Sequence, residues 1–496
     1  MIEKIIDSFK LFSERNAFYI KNKYYTYGQV AQKVSDIRNS FKQYLPELNP
    51  KYIGVIIYDD IESYSSCISV LLSGYGYVPL NPLNPVERNV EIIVQSDLKL
   101  ILSSEKTIAD QLKINPSVNF IFTKELPISP VDLDFPICKD EDPAYLIFTS
   151  GSTGRPKGTP ISRGNLNAFL DSVWHLDWKI SENDRFLQMS SMTFDMTIIT
   201  FFIPLCIGAC VYIVPEVEIK YFYAYKLMLE MNITVIGIVP STLSYLEPYF
   251  PEIELPYIRY SLLGGEALPI DLANKWQHCV PNAVLINMYG PTEITVFSHT
   301  YVYQHKSQEK SHNGILALGK LVKNVKGLIV DETMQPIDTD QQGELLLTGR
   351  QLIQGYINEP DRNKNSFITI SGERYYKTGD IVYKDRDNDF YFVGRLDQQV
   401  KIQGHRVELG EIEKHVRDFI NFKPVVALAQ KNRFGNQQIH LVVEKNEMQR
   451  EEIIEYLNDK IPYYMIPSNI TVIETMPINA NGKIDRSKLA KLINQH

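Results

Sequence analysis

The sequence predicts an α/β protein with a large N-terminal domain and a smaller α+β C-terminal domain. The chain has 496 residues, which at roughly 100 to 200 residues per domain allows two to four domains. Short apolar runs alternate with helical patterns from residue 50 onward, and this βαβ rhythm is typical of parallel or mixed sheets covered by helices. The pattern changes after residue 320 and again after residue 395. We therefore expect one domain of residues 1–394 and a second of residues 395–496.

The elements of the large domain follow one another along the chain. The first residues predict a surface helix and then a strand. Asp60 and Pro85 are ordinary helix-start signals. The predicted elements are strands at 52–58, 77–80, 99–102, 120–122, 234–239, 258–263 and 284–289, with helices at 61–73 and 85–96.

Two further units follow. Closely spaced strands at 327–330, 344–347 and 390–393, separated by Gly and Asp, predict a small β subdomain within the large domain. Beyond Arg395 the pattern predicts a small α+β domain. Its expected elements are helices at 410–419 and 449–460 and strands at 425–429, 439–443 and 469–473.

Composition excludes several classes of protein. Hydrophobic residues at 44% and charged residues at 22% are ordinary for a globular chain. The net charge of −8 lacks the basic surplus of nucleic-acid-binding proteins. The five cysteines are scattered and lack zinc-ligand spacing, so neither a disulfide framework nor a structural metal is expected, and a reducing, cytoplasmic compartment fits best.

No membrane span or signal peptide is expected. Charged residues interrupt the first 30 residues, so no apolar signal-peptide core can be placed there. Residues 196–215 carry no charge and are just long enough to cross a bilayer. Pro204, Gly208 and Pro215 interrupt this run, and we expect it to be buried core.

A candidate phosphate loop lies at residues 149–158, which read Thr-Ser-Gly-Ser-Thr-Gly-Arg-Pro-Lys-Gly. It follows an apolar strand and precedes a helix expected to begin near Ser162. Glycines let backbone N–H groups approach a polyanion, hydroxyls donate hydrogen bonds and a lysine neutralises charge. An ordinary surface loop would lack this strand–loop–helix setting. The residues expected to contact phosphate are Thr149, Ser150, Gly151, Ser152, Thr153, Gly154 and Lys157.

The loop is not a Walker motif. The spacing G-x4-G-K-[ST] occurs only at residues 314–321, where Leu321 replaces the hydroxyl that would bind a metal. No GxGxxG, HExxH or G-x-S-x-G motif is present. Nicotinamide-dependent, zinc-protease and serine-hydrolase chemistry therefore lose their main support.

The loop resembles the signature of the adenylate-forming superfamily, which includes acyl-CoA synthetases, luciferases and the adenylation domains of peptide synthetases. Further motifs follow in the superfamily's order and extend the resemblance over nearly the whole chain. They are Phe-Asp-Met-Thr at 194–197, Asn-Met-Tyr-Gly-Pro-Thr-Glu at 287–293, Gly-Glu-Leu at 343–345, Tyr-Lys-Thr-Gly-Asp at 376–380, Gly-Arg-Leu-Asp-Gln-Gln-Val-Lys-Ile-Gln-Gly at 394–404, Tyr-Met-Ile-Pro at 464–467 and Asn-Gly-Lys-Ile-Asp at 481–485.

The resemblance implies the superfamily's two-domain fold and a site for ATP and Mg²⁺. Glu293 is expected to hold the ion, which prefers carboxylate and phosphate oxygens, and the adjacent Thr292 is expected to take part in catalysis. Tyr289 resembles the residue that stacks on adenine, and Asp380 the one that binds both ribose hydroxyls. Without the resemblance, Glu293 would be a solvated turn acid. The other implied nucleotide contacts are Gly265, Glu266, Asn287, Gly290 and Arg395.

Lys483 resembles the superfamily's mobile catalytic lysine, although an isolated lysine in an Asn-Gly-Lys loop would ordinarily be solvated. Its ammonium would bridge the substrate carboxylate and the α-phosphate as pyrophosphate departs. The reaction is an in-line attack of carboxylate on phosphorus, so no side-chain nucleophile is needed. Asp397 resembles the hinge about which the small domain turns, so that a second face carrying Lys401 and Arg406 serves thioester formation.

Asp195 points to the substrate class. In adenylation domains that use α-amino acids, this aspartate pairs with the substrate ammonium, and a buried carboxylate needs such a partner. A helix cap is the alternative interpretation. The resemblance implies an apolar remainder of the pocket, shortened by bulky side chains but with room beside Gly237, which favours a small or medium uncharged side chain. The implied lining residues are Met196, Ile199, Gly237, Leu262, Gly264, Met288, Val296 and Phe297.

Within the superfamily the chain is most similar to stand-alone D-alanine–D-alanyl carrier protein ligases and free-standing amino-acid adenylating enzymes. Residues 484–496 follow Lys483, and no Gly-Gly-x-Ser carrier attachment motif is present. We therefore expect an amino acid:carrier protein ligase that transfers the activated amino acid to the phosphopantetheine of a separate carrier protein. An acyl- or aryl-CoA ligase is the alternative, which Asp195 disfavours. A nucleotide-binding protein without catalysis is disfavoured by the presence of Lys483 and Glu293.

Overall fold

The structure is a computed structural model. It describes residues 1–48, 51–112, 118–151, 154–217, 219–304, 310–420, 423–445, 448–478 and 484–493. The strands are β1 (Asn16–Ile20), β2 (Lys23–Thr26), β3 (Tyr52–Ile56), β4 (Gly76–Leu80), β5 (Leu100–Ser103), β6 (Asn119–Phe122), β7 (Pro143–Thr149), β8 (Lys157–Ser162), β9 (Arg185–Gln188), β10 (Cys210–Ile213), β11 (Val235–Ile238), β12 (Tyr260–Gly264), β13 (Val284–Tyr289), β14 (His299–Val302), β15 (Ser311–His312), β16 (Ile315–Leu316), β17 (Lys320–Leu321), β18 (Val325–Val330), β19 (Gly343–Gly349), β20 (Phe367–Ile370), β21 (Glu373–Lys384), β22 (Phe390–Arg395), β23 (Gln399–Ile402), β24 (His405–Glu408), β25 (Val425–Lys431), β26 (Gln437–Glu444) and β27 (Asn469–Ile473).

The helices lie mainly between the strands of the large domain and around the small one. They are α1 (Ile2–Leu11), α2 (Tyr27–Lys42), α3 (Leu45–Leu48), α4 (Ile61–Leu72), α5 (Val86–Gln95), α6 (Thr107–Leu112), α7 (Arg163–Trp174), α8 (Ile203–Ile207), α9 (Lys220–Glu230), α10 (Pro240–Leu246), α11 (Ile270–Cys279), α12 (Pro360–Ser366), α13 (Leu409–Phe419), α14 (Arg450–Asn458) and α15 (Arg486–Ile493). Asp60 caps α4 as expected, because its carboxylate accepts the Ser63 N–H at 2.9 Å.

Two large sheets form the body of the N-terminal domain. One has six strands in the order β6-β5-β3-β4-β7-β8, and the other has nine in the order β17-β14-β13-β12-β11-β9-β10-β1-β2. Both are mainly parallel, with antiparallel strands towards their edges. This arrangement confirms the predicted α/β class. It also brings the carboxyl ends of β11, β12 and β13 to one edge, where ligands bind in open α/β sheets.

The uncharged run at residues 196–215 is buried core, as predicted. Ile198–Phe202 forms a π-helical turn, α8 follows it, and the run then enters β10. Phe201 and Phe202 are fully buried. Among the described residues no helix is long and apolar enough to cross a membrane. All five cysteines are free thiols.

The candidate phosphate loop has a different setting from the one expected. β7 is followed by the antiparallel strand β8, and Ser162 caps α7 only after that strand ends. The predicted strand–loop–helix is therefore a strand–loop–strand. The sequence hides β8 because it contains Gly158 and Pro160, which ordinarily indicate a turn, whereas an edge strand tolerates proline.

The β subdomain and the small domain follow in the predicted order. β18, β19, β21, β20 and β22 form an antiparallel sheet. After Arg395 come the hairpin β23–β24 and the sheet β25-β26-β27. Residues from Val400 onward form their own apolar cores on the two faces of that sheet. Val425 and Ala427 pack on the side of α13 and α14, and Val426 and Leu428 pack on the side of α15.

Candidate active site

The candidate site is a cleft between the large domain and the hairpin β23–β24 of the small domain. It lies at the carboxyl ends of β12 and β13. The structure brings most of the predicted nucleotide residues to this cleft. The predicted residues that line it are Thr149, Ser150, Gly265, Glu266, Asn287, Met288, Tyr289, Gly290, Thr292, Asp380 and Arg395. Ser152, Thr153 and Lys483 lie outside the described residues.

A chain of hydrogen bonds connects the predicted adenosine contacts. The Tyr289 hydroxyl donates to one carboxylate oxygen of Asp380, and Arg395 donates to the other. Arg395 also forms two hydrogen bonds of 2.7 Å with the Asp397 carboxylate. Burial alone would lower the pKa of Arg395, but Asp397 and Asp380 raise it, so the guanidinium stays charged. Arg395 thus connects the predicted hinge to the predicted ribose-binding carboxylate.

Two further predicted contacts are held rigidly at the base of the cleft. The Asn287 side-chain amide donates to the Ala317 carbonyl at 2.9 Å. A Cβ at Gly290 would lie 2.4 Å from Phe297 Cα, so only glycine fits beside the backbone of Phe297. These contacts fix the height of the cleft floor where a nucleotide base is expected.

The described part of the phosphate loop has one unpartnered hydroxyl and two groups bound to the small domain. Thr149 Oγ1 is buried and has no hydrogen-bond partner among the described residues. Ser150 Oγ accepts the Glu408 N–H at 3.1 Å, and the Gly151 N–H donates to Glu411 at 3.1 Å. Glu411 in turn is paired with Arg88 at 2.8 Å. The loop is therefore one of the surfaces on which the small domain docks.

Glu293 lies at the centre of a buried charge cluster. The Arg406 guanidinium from β24 contacts both of its carboxylate oxygens at 2.9 Å, and Lys157 Nζ lies 3.4 Å from one of them. The Tyr356 hydroxyl also donates to Glu293. Burial would raise the pKa of Glu293, but Arg406 and Lys157 hold it well below its usual value. Burial and the nearby Arg406 lower the pKa of Lys157 to about 8.

Glu266 also contacts the small domain. Its carboxylate accepts the Ser241 N–H and the Gly404 N–H, both at 2.8 Å. Gly404 has φ +80, and a Cβ there would lie 2.5 Å from Val239. Only glycine permits this approach, so the turn between β23 and β24 docks on Glu266 through its backbone.

The structure therefore presents the β23–β24 hairpin to the cleft. The described residues on either side of Lys483, Ile478 and Ile484, form an antiparallel bridge with each other. Ile484 packs with Val426 and Leu428, on the face of the small sheet opposite the core that contains hairpin residues Ile402 and Val407. Ile484, the first described residue after Lys483, and the hairpin core residues thus lie against opposite faces of the small sheet.

Asp195 is a buried carboxylate with an unpartnered oxygen. Its exposed fraction is 5%, and Oδ2 has no hydrogen-bond partner among the described residues. Burial raises the pKa of Asp195 to about 6, opposed by a hydrogen bond with Thr292 and the charge of Lys401. The side chain caps no helix, since the N-cap of the π-helical turn Ile198–Phe202 is Thr197 and no described side chain caps that turn. In the described part of the chain, one oxygen of this buried carboxylate is therefore without the hydrogen-bond partner that buried polar atoms ordinarily have.

The predicted pocket residues near Asp195 are packed closely together. Gly237 pairs with Leu262 in the β11–β12 register, and Gly264 pairs with Met288 in the β12–β13 register. A Cβ at Gly264 would lie 2.9 Å from the Met288 carbonyl oxygen. The predicted side chains in this region are all buried, namely Met196, Ile199, Leu262, Met288, Val296 and Phe297.

A strained loop connects Glu293 to the residues of this pocket. Gln351, which supports the loop, is not predicted from the sequence. Thr295 and Val296 have φ values of 57 and 74, which are costly for β-branched residues and are typical of functional sites. The buried Gln351 side chain donates to the carbonyls of Ile294 and Phe297, each at 3.0 Å. Gln351 carries no local motif, because its role depends on contacts with residues more than fifty positions earlier.

Comparison with known proteins assigns the family. The AMP-binding enzyme family matches residues 7–357, so the chain belongs to it, and the resemblance to the adenylate-forming superfamily is confirmed. Tyrocidine synthase 1 of Brevibacillus parabrevis is 30% identical over 485 residues, which cover 96% of this chain and 44% of that protein. Gramicidin S synthase 1 of Brevibacillus brevis is 30% identical over 448 residues, 88% of this chain and 39% of that protein. The chain spans less than half the length of these relatives.

Solved adenylation domains share the whole fold. The Vibrio cholerae adenylation domain AlmE, in complex with glycyl-adenosine-5′-phosphate, superposes with a TM-score of 0.88 at 25% identity and covers 100% of this chain and 97% of that one. Holo-PA1221, which contains adenylation and PCP domains, superposes with a TM-score of 0.85 at 25% identity. The match covers 99% of this chain and 84% of that one. The fold is that of an adenylation domain.

Replacing Gln351 with alanine is expected to destabilise the strained loop. The change leaves two buried carbonyls without their donor, a loss of about 1–3 kcal/mol. The unfolding temperature measured by calorimetry should fall. Gln342→Ala, at an exposed glutamine, is the matched control and should leave it unchanged. Equal unfolding temperatures for both variants would show that Gln351 does not hold the loop.

Proposed function

We propose that this protein activates a small uncharged amino acid with ATP and transfers it to the phosphopantetheine thiol of a carrier protein. In the first step the amino acid carboxylate attacks the α-phosphorus, the bond to the β-phosphate oxygen breaks, and pyrophosphate leaves. In the second step the carrier thiolate attacks the aminoacyl carbonyl, and AMP leaves with the bonding electrons. Both steps need positioning and charge neutralisation more than a side-chain nucleophile.

The observation that carries this proposal is the unpartnered oxygen of Asp195. A buried carboxylate without a partner is unfavourable unless a cation joins it. The ammonium of an α-amino acid supplies that charge. The carboxylate of the same amino acid then extends towards Thr292 and the nucleotide cleft. A fatty or aryl acid would leave Asp195 uncompensated.

Two relatives support an amino acid of small size. AlmE is described with glycyl-adenosine-5′-phosphate, and a four-domain synthetase, AB3403, is described with AMP and glycine at 26% identity to this chain and a TM-score of 0.70. The buried methionines and the phenylalanine near Asp195 agree with a short pocket. The resemblance to D-alanine–D-alanyl carrier protein ligases falls within the same size range.

The predicted nucleotide-binding residues have separate roles. Tyr289 and Asp380 would hold the adenosine, and the free hydroxyl of Thr149 would donate to phosphate oxygens. Mg²⁺, when bound, would neutralise charge on the phosphates, and Glu293 fits it because one carboxylate plus phosphate oxygens is a usual ligand set for this ion. Arg406 occupies both oxygens of Glu293 in this structure. The hairpin must therefore leave before Glu293 can serve in the first step.

The docked hairpin supports a transfer step in which the small domain has a different position from the one it takes in adenylate formation. With β23–β24 in the cleft, Ile484, next to Lys483 in sequence, lies against the other face of the small sheet. Holo-PA1221 contains adenylation and PCP domains in one protein. A carrier acceptor for this chain agrees with that pairing, whether the carrier belongs to the same chain or to another.

Amino-acid-dependent exchange of pyrophosphate into ATP tests the function directly. The panel of amino acids tested includes both enantiomers of alanine. We expect exchange with one or a few small amino acids of this panel. The control panel contains acids of the same size without the amino group. Exchange with those acids alone, followed by thioester formation on coenzyme A, would replace this proposal with an acyl- or aryl-CoA ligase.

Replacing Asp195 with alanine should weaken amino-acid binding far more than ATP binding. Loss of the charge partner of a desolvated ammonium costs roughly 2–5 kcal/mol. In the native enzyme, amino-acid kcat/KM should fall as pH drops through about 6, because protonation removes the charge of Asp195. Initial rates at varied pH and direct ATP binding measure both effects. An unchanged amino-acid KM in the variant would contradict the assigned role.

Replacing Lys483 with alanine should abolish most adenylate formation while sparing ATP affinity. The lysine is proposed to act on charge that develops in the transition state, and such groups contribute about 10²- to 10³-fold. Transfer from preformed aminoacyl-adenylate to the carrier should survive. Exchange and transfer are measured separately, with Lys488→Ala on the following helix as control. Equal loss of both reactions would contradict the two-state assignment.

Replacing Asp397 with proline should block rotation of the small domain between its position in adenylate formation and its position in transfer to the carrier. Proline fixes φ, so exchange should remain near native while thioester formation on a phosphopantetheinylated carrier falls strongly. Asp397→Ala is the control, since it also removes the hydrogen bonds to Arg395 without fixing φ. If the alanine variant loses transfer equally, the carboxylate and not backbone rotation is responsible. Normal transfer in the proline variant would remove Asp397 as the pivot.

A further inference from the structure

The geometry points to Thr200 as a specificity-determining residue that restricts the amino-acid pocket to glycine and alanine. This inference rests on the proposed function and names the substrates of the same site. Thr200 belongs to none of the motifs that identify the family. It lies in the π-helical turn Ile198–Phe202, five residues after Asp195.

The Thr200 methyl fills the space that Gly237 leaves on its wall of the pocket. A Cβ at Gly237 would lie 2.7 Å from Thr200 Cγ2 and 3.9 Å from Met196 Cε. Apart from the chain neighbours of Gly237, no other described heavy atom comes within 4 Å of that position. The room expected beside Gly237 is therefore closed mainly by one methyl group.

This methyl is held in place by its hydroxyl. Thr200 is 1% exposed, and its Oγ1 donates to Gln188 Oε1. The Gln188 amide donates in turn to the Ser190 carbonyl at 2.8 Å. A β-branched side chain has few rotamers, and the hydrogen bond selects one of them. The methyl cannot turn aside for a larger substrate without breaking this buried bond.

The neighbouring strand β12 carries a second close contact. A Cβ at Gly264 would lie 3.4 Å from Met288 Cβ and 3.6 Å from Met288 Cε. Of the two predicted pocket glycines, Gly237 thus faces Thr200 and Met196, and Gly264 faces Met288. Of these, only Thr200 has its position fixed by a side-chain hydrogen bond, since methionine is flexible. Thr200 therefore sets the firm limit.

The test measures a ratio of substrates. Thr200→Ser removes the methyl and keeps the hydroxyl. In pyrophosphate exchange, kcat/KM for 2-aminobutyrate relative to alanine should rise about tenfold, the usual effect of space for one methylene. KM for ATP should stay constant. The ratio is independent of the fraction of enzyme that is folded, so a purely structural defect would not change it.

Two further variants separate shape from hydrogen bonding. Thr200→Val keeps the methyl and loses the hydroxyl, so it should lower the unfolding temperature but retain the native substrate ratio. Gly237→Ala places its methyl against Thr200 Cγ2 and should raise amino-acid KM in the native background. In the Thr200→Ser background the same change should raise it much less, because contacting side chains give non-additive effects.

The outcomes distinguish this inference from the proposed function. If the native enzyme activates amino acids but Thr200→Ser leaves the ratio unchanged, the role of Thr200 is wrong and the function stands. Preference of the native enzyme for valine or leucine over glycine and alanine would also overturn it. If the native enzyme exchanges pyrophosphate with no amino acid, the proposed function fails and this inference fails with it.

Discussion

A buried carboxylate requires compensating charge, and the arrangement of the cleft depends on how Glu293 obtains it. Lys157 reaches it from β8 in the large domain, and Arg406 reaches it from β24 in the small domain. Glu293 has no exposed surface, so removal of either cation would leave charge poorly compensated. One carboxylate therefore joins an edge strand of the six-stranded sheet, the turn after β13 and the small domain. The small domain docks where it does because this charge is there.

Other contacts of the small domain repeat the same principle. Glu411 accepts from Arg88 and from the Gly151 N–H of the phosphate loop, and Glu266 accepts from Gly404 of the hairpin turn. In each case a carboxylate holds backbone or guanidinium donors from the other domain. Gly151 and Glu266, which take part in these contacts, are also predicted nucleotide contacts. Docking of the small domain therefore uses groups that are also predicted to contact the nucleotide.

The pocket near Asp195 follows a different principle. There one carboxylate oxygen has no partner among the described residues, and the walls are apolar and tightly packed. Rigid support comes from a distance: Gln351 holds the strained turn at Thr295 and Val296, and Gln188 holds Thr200. Such support fixes the positions of the side chains around Asp195.

Sequence alone determined the α/β class and the order of the elements, because hydrophobic periodicity is a local property of the chain. The resemblance of its local motifs to those of the adenylate-forming superfamily is what named Asp195, Tyr289, Asp380 and Arg395. Only the tertiary structure decided that Glu293 is neutralised by Arg406, that β8 follows the phosphate loop and that Thr200 closes the space beside Gly237. Each of these depends on atoms from segments distant in sequence, and packing across such distances leaves no periodic or local signal in the residues that take part.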